Sequence, residues 1–148
     1  EAHSLYCGKG HPLFAVAEDA LSVARIETFD FVVRPYANMR ELQHFPKARA
    51  RATASNMEAQ AMFVMSGRYL GYLPDHFAEE RVQQGIFRPL MAGTTAIRST
   101  FVIATRAAEK PSTIIDFFIR ELAGFASEAL HGQKRHSAAG GRIARNNR

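Results

Sequence analysis

From Thr28 to Leu90 short apolar runs take turns with amphipathic segments, and proline or glycine cuts off almost every one. That rhythm limits the fold to strands and helices alternating along the chain. Thr28–Arg34 reads as a buried strand, closed by Pro35. Asn38 can cap a helix over Met39–Phe45, with Leu42 and Phe45 on one face and Pro46 as the stop. Arg49–Ala54 alternates Arg and Thr with Ala, as a half-exposed strand does. Ser55 then caps the best helix in the chain. Glu58 three residues on completes a capping box, Ala59, Met62, Phe63 and Ser66 follow at helical spacing, and Gly67 ends it. Tyr69–Leu73 is a strand, Pro74 to Gln84 a helix closed by Gly85, and Phe87–Leu90 another strand. Strands and helices in this order predict an α/β sheet with helices on its faces.

The flanks are less regular. Leu5–Cys7 is strand-like, followed by a Gly8-Lys9-Gly10 turn and the break at His11-Pro12. Glu18–Arg25 suits a short helix. Ala92–Thr95 reads as a loop and Thr100–Arg106 as a strand. Pro111 opens a last helix with Ile114, Ile115, Phe118, Ile119 and Leu122 as its apolar stripe, which Gly124 is expected to interrupt.

An apolar share of 47% is that of a globular chain. No apolar run approaches the roughly 20 residues needed to cross a bilayer. The opening Glu1-Ala2-His3-Ser4 lacks the basic flank and apolar core of a signal peptide. A single cysteine, Cys7, excludes an internal disulfide and suits a reducing cytoplasm. The six histidines show no metal-ligand spacing, so neither a metal nor a cofactor is expected. The net charge of +5 suggests nucleic acid, but its distribution does not. Lys134, Arg135, Arg142, Arg145 and Arg148 lie in a tail without acids, and the other 14 basic residues face 14 acidic ones. Residues 125–148 read as a basic, disordered tail. Cys7 with His11 is the tempting catalytic pair, yet the glycines and proline between and beside them make a turn. No Gly-x-Ser-x-Gly or phosphate loop occurs, and no enzyme is expected.

Three stretches, taken with their order and spacing, carry a resemblance. They are Leu5 to Phe14 with its His-Pro-Leu, Asp30 to Arg34, and Ala54 to Glu58 continuing through Val64, Gly67 and Leu70-Gly71-Tyr72-Leu73-Pro74. Together they resemble the C-terminal effector-binding domain of LysR-type transcriptional regulators. Arg68, where many relatives carry glycine, departs from the pattern. The resemblance implies a periplasmic-binding-protein-like (type 2) α/β domain over residues 1–124. It implies a complete second lobe at about 8–97 and a return to the first lobe at about 98–124. The winged helix-turn-helix and the rest of the first lobe would precede it, and DNA would be bound only through them. Tyr6, Cys7 and Gly8 take the place of the hinge between lobes. A small metabolite in the interlobe cleft would control DNA binding by a cytoplasmic homo-oligomer.

In such a cleft, strand ends and helix N-termini hold the ligand. Ser55, Asn56 and Met57 open a helix, whose free N–H groups would favour a carboxylate; Ser55 could equally be no more than the cap. Arg34, Pro35 and Tyr36 end a buried strand, where Arg34 could meet an anion or simply be solvated. For assembly, the resemblance points to Met39, Leu42 and Phe45 as an apolar patch beside an edge strand carrying Arg49, Arg51 and Thr53. The rival reading is a lobe of a periplasmic solute-binding protein, and a third is a purely structural dimerisation module.

Overall fold

The computed structural model describes residues 1–104 and 112–125, except the side chains at 38 and 39. Residues up to Phe101 form one compact unit, and the chain from Val102 onward forms a second. The first unit is built around β1 (Ala2–Gly8), which is buried almost throughout. One edge of β1 pairs antiparallel with β4 (Gly71–Pro74), with Leu5 opposite Tyr72. The other edge pairs antiparallel with β5 (Phe87–Leu90), with Leu5 opposite Leu90. A two-residue β6 (Ile97–Arg98) continues that second edge beside Ala2 and His3.

β2 (Asp30–Val33) and β3 (Arg49–Thr53) form a parallel pair, with Val33 opposite Thr53. Backbone bonds tie this pair to the first sheet. The Val32 amide donates to the Leu70 carbonyl (2.8 Å), and the Leu70 amide to the Asp30 carbonyl (2.9 Å). Side chains then sort by the two-residue period of a strand. Leu5, Cys7, Phe31, Val33 and Tyr72 join one core with Leu13, Ile26 and Phe45. Tyr6, Val32 and Leu73 join the other, with Ala61 and Val64 of α3 (Met57–Met65), Ala78 of α4 (Asp75–Gln83) and Phe87. Both faces are covered, which explains why β2 and β4 read as unbroken apolar runs.

Two glycines permit close packing. A Cβ on Gly8 would lie 2.1 Å from the Val64 carbonyl oxygen, so β1 and α3 approach backbone to backbone there. Gly67 ends α3 at φ +70°, and a Cβ there would meet the Lys9 carbonyl at 2.8 Å.

Several expectations change. Glu18–Arg25 is not one helix. A 3₁₀ turn (Glu18–Ala20) is followed by extended Leu21, and α1 (Val23–Ile26) starts only after Ser22, whose hydroxyl accepts the Arg25 amide (3.3 Å). The Glu18 carboxylate is drawn away to the Met91 amide (2.8 Å) and to Arg88 (3.3 Å), fixing the turn against the end of β5. The helix expected over Met39–Phe45 is α2 (Asn38–Glu41), because Phe45 turns inward to stack near Phe31, with ring centroids 5.5 Å apart. Ala92–Thr95 is a single helical turn, α5, that buries Thr95. The strand expected over Thr100–Arg106 does not form at residues 100–104, which have no regular structure, and 105 and 106 lie outside the described residues; the two-residue β6 lies before it. In the second unit, α6 (residues 113–125) runs on through Gly124 with no break, and Pro111 lies outside the described residues.

His11 anchors the turn after β1. It is buried, its Nδ1 accepts the Leu13 amide (3.1 Å), and its ring lies 4.7 Å from that of Phe29. Burial lowers its pKa to about 4. The unfolded chain therefore binds the extra proton first as pH falls, and folding stability drops between about pH 6.5 and 4. The full loss is about 3 kcal/mol, from the conversion of about 1.4 kcal/mol per pKa unit. Burial also lowers the pKa of His3, with the same sign. Denaturant melts at pH 7 and pH 4.5 are expected to differ more for wild type than for His11→Asn; equal differences would contradict this origin. Gly8→Ala is expected to cost at least about 2 kcal/mol, because neither backbone can yield to the new methyl. An unchanged thermal midpoint would show that β1 and α3 do not meet so closely.

Candidate effector cavity at the carboxyl end of β2

The chain leaves β2 at Val33 and turns sharply. Pro35 ends the strand, the Ala37 amide returns to the Arg34 carbonyl (3.0 Å), and α2 folds back beside the strand end. This turn brings Glu41 against Arg34. The Glu41 carboxylate accepts the Arg34 backbone amide through Oε2 (2.9 Å) and the Arg34 Nε–H through Oε1 (2.6 Å). Glu41 is fully buried, with 2% of its side chain exposed, against 19% for Arg34. Burial alone would lower the pKa of Arg34, but the bond and charge of Glu41, with a smaller contribution from the Tyr36 hydroxyl, outweigh it and raise the value. The Arg34 guanidinium also lies 5.7 Å from the centre of the Tyr36 ring, within cation–π range.

A cavity of about 340 Å³ opens here. Arg34, Pro35, Tyr36 and Ala37 form one wall, Arg40 and Glu41 of α2 another, and Ile97 and Ser99 the third. Arg40 is exposed and donates from its guanidinium to the Arg98 carbonyl, linking α2 to β6. Glu41 takes up the Nε side of the Arg34 guanidinium, and its Nη end lies towards Tyr36 and the cavity. The walls thus combine a buttressed cation, an aromatic face, a hydroxyl and a buried aliphatic side chain. That is the make-up of a small-molecule site, at the low end of the usual size range.

The residues singled out in the sequence do not come together at one place. Arg34, Pro35 and Tyr36 line the cavity; Ser55, Asn56 and Met57 do not. The parallel register still puts both triplets at one sheet edge, since the Ala54 amide donates to the Val33 carbonyl (3.0 Å). The helix cap is Asn56, not Ser55. Asn56 Oδ1 accepts the Ala59 amide (2.8 Å), so the box with Glu58 does not form. Tyr6, Cys7 and Gly8 sit mid-sheet, each with a ladder partner on β5. Tyr6 donates its hydroxyl to Asp75 (3.0 Å), and burial pushes the Cys7 thiol up to about 11, away from nucleophilic chemistry. Of the interface set, Arg49, Arg51 and Thr53 are exposed on β3, and Leu42 is half-buried. Phe45 corrects the expectation of a surface patch: it is completely buried in the core. The Met39 side chain lies outside the described residues. Exposed apolar side chains in the first unit include Met62 and Met65 of α3, and in the second unit Ile114, Phe118 and Leu122 of α6. Among the described residues, no three His, Cys, Asp or Glu side chains are grouped to hold a metal ion.

Arg40, Glu41, Ile97 and Ser99 were not singled out by the sequence. Arg34 and Glu41 are seven residues apart across a proline turn, and no periodicity marks such a pair.

The model of the LysR substrate binding domain family matches residues 1–126. The HTH-type transcriptional activator BauR of Pseudomonas aeruginosa is 31% identical over 124 residues, which is 83% of this chain and 41% of BauR. The chain thus spans about two fifths of that relative. Among solved structures, the bromide-bound regulatory domain of HypT from Salmonella typhimurium superposes with a TM-score of 0.57 at 16% identity. It aligns 86% of this chain with 61% of that one. The apo form of the same domain gives 0.57 at 16% identity, over 86% and 62% of the two chains. The likeness to HypT concerns the fold.

The two candidate positions at the sheet edge separate by mutation. Asn56→Ala is expected to cost about 1 kcal/mol through the lost cap, and Ser55→Ala less than about half of that. Thermal melts of the two variants side by side check this, and a larger loss for Ser55→Ala would move the cap back to that residue.

Proposed function

The chain belongs to the LysR substrate binding domain family, and from that premise we propose that it is the effector-sensing part of a transcriptional regulator, holding a small anionic metabolite in the cavity at the end of β2. The observation that carries this reading is the Arg34 guanidinium, fixed in place by a buried carboxylate and lining a cavity of small-molecule size. A guanidinium so placed suits planar recognition of a carboxylate. The bromide held by the HypT regulatory domain fits an anion in a domain of this fold.

Ser55 to Met57, on the same sheet edge, would form the neighbouring rim of the ligand site. Residues 8–97 would make up one lobe, and 98–124 the return to the other. Tyr6 to Gly8 would link the lobes, carrying movement of one to the other through the paired centre of the sheet. In the longer protein that BauR exemplifies, the bound metabolite would alter how helix-turn-helix domains sit on DNA, in the cytoplasm. The family match and the BauR relationship favour this over a lobe of a solute-binding protein. Homo-oligomers would form through the exposed edge of β3 with Arg49, Arg51 and Thr53, with Leu42 beside it.

Benzoate serves as a probe. Titrated into the ¹⁵N-labelled chain, it is expected to shift the amides of Arg34, Tyr36 and Ser99. Arg34→Gln is expected to weaken binding at least about tenfold, the scale of a lost charged hydrogen bond. That variant also strands Glu41, at a cost of about 3 kcal/mol. Tyr36→Ala, at a site 74% exposed, tests the aromatic wall without that cost and is expected to weaken binding severalfold. Shifts confined to residues 55–57 would place the ligand elsewhere.

A further inference from the structure

The charges that line the cavity are Arg34, Arg40 and Glu41. Glu41 is buried and contacts both the Nε and the backbone amide of Arg34, so one positive charge is cancelled inside the wall. The cavity therefore presents a net single positive charge, and the uncompensated partner, Arg40, sits exposed at the rim. The remaining lining groups carry no charge. A ligand with one carboxylate can place it on the Nη fork of Arg34 and lay an apolar body against Tyr36 and Ile97. A second carboxylate would enter the same space within reach of the Glu41 carboxylate and find no second buried cation. Like charges brought together beside a buried carboxylate repel, and each disfavours the other's ionised form.

We propose that Glu41 is a specificity-determining positioning residue, which makes the cavity select singly charged, partly apolar carboxylates and reject dianions. The claim rests on the anion-binding reading of the cavity given above. Glu41 would have two effects. It aims Arg34 by occupying Nε, leaving only the end-on fork to the ligand. It also caps the charge that the site can neutralise. Neither effect requires Glu41 to touch the ligand.

Benzoate and phthalate separate the possibilities, since they share a ring and differ by one carboxylate. Calorimetric titration of the full 148-residue chain at neutral pH is expected to show benzoate binding at least about tenfold more tightly than phthalate. Glu41→Gln keeps one of the two acceptors for Arg34, replaces the other with an N–H donor, and removes the charge. It is expected to narrow that ratio by about tenfold or reverse it, with phthalate gaining. Arg40→Gln removes the uncompensated charge of the same wall and is expected to weaken both anions, phthalate more than benzoate.

If benzoate binds and Glu41→Gln leaves the ratio unchanged, the charge-cap role is wrong while the anion site stands. If neither anion binds wild type, the anion site itself fails, and this inference with it. Should Glu41→Gln not fold, as a far-UV spectrum would show, the wild-type ratio still decides. Phthalate binding as tightly as benzoate, or more tightly, would overturn the proposal.

Discussion

The position of β1 is the constraint on which the other elements depend. Seven consecutive residues run through the middle of the unit, and β4 on one side and β5 on the other use up their backbone groups. Because side chains alternate, one strand feeds both cores, with Leu5 and Cys7 in one and Tyr6 in the other. Gly8 then lets α3 lie directly on the strand. With β1 held this way, β4 and the residue before it must lie alongside, and that residue carries the bonds to β2. The parallel β2–β3 pair thereby takes its position from a strand to which it makes no direct pairing.

The cavity inherits its geometry from this arrangement. The parallel pair ends its two strands at one edge, where α/β sheets ordinarily offer their loops to ligands. The chain from Arg34 to Glu41 is a turn and one short helix, and a segment that short would not hold a side chain still by itself. The buried carboxylate does so. A carboxylate removed from water must find donors, and Glu41 finds two on one residue. The ion pair is better understood as orienting Arg34 than as adding stability, since buried pairs gain little over apolar packing.

Most of the regular elements were legible in the sequence, because each carried its own punctuation. β2 ends at Pro35, α3 at Gly67 and α4 at Gly85, and all three appear where the residues place them, within a residue or two. What was not legible was decided by partners distant in sequence. Glu18 breaks its expected helix because its carboxylate is engaged with Arg88 and Met91, some seventy residues on. Phe45 leaves its helix because the core beside Phe31 takes the ring. Ser55 and Asn56 are both good caps, and only the helix's actual start distinguishes them. In the cavity, the strand-end triplet could be read from β2 and Pro35. Ile97, Ser99 and Glu41 could not, since a turn and an unforeseen short strand bring them there.

The anion site proposed for this chain lies at Arg34 and not at the start of α3. Anomalous diffraction from a crystal of this chain soaked in bromide separates the two most directly, because a single peak locates the ion without any assumption about the natural metabolite. The expected peak lies within hydrogen-bonding distance of the Arg34 guanidinium and is lost in Arg34→Gln. A peak on the backbone amides that follow Asn56, with none beside Arg34, would contradict it.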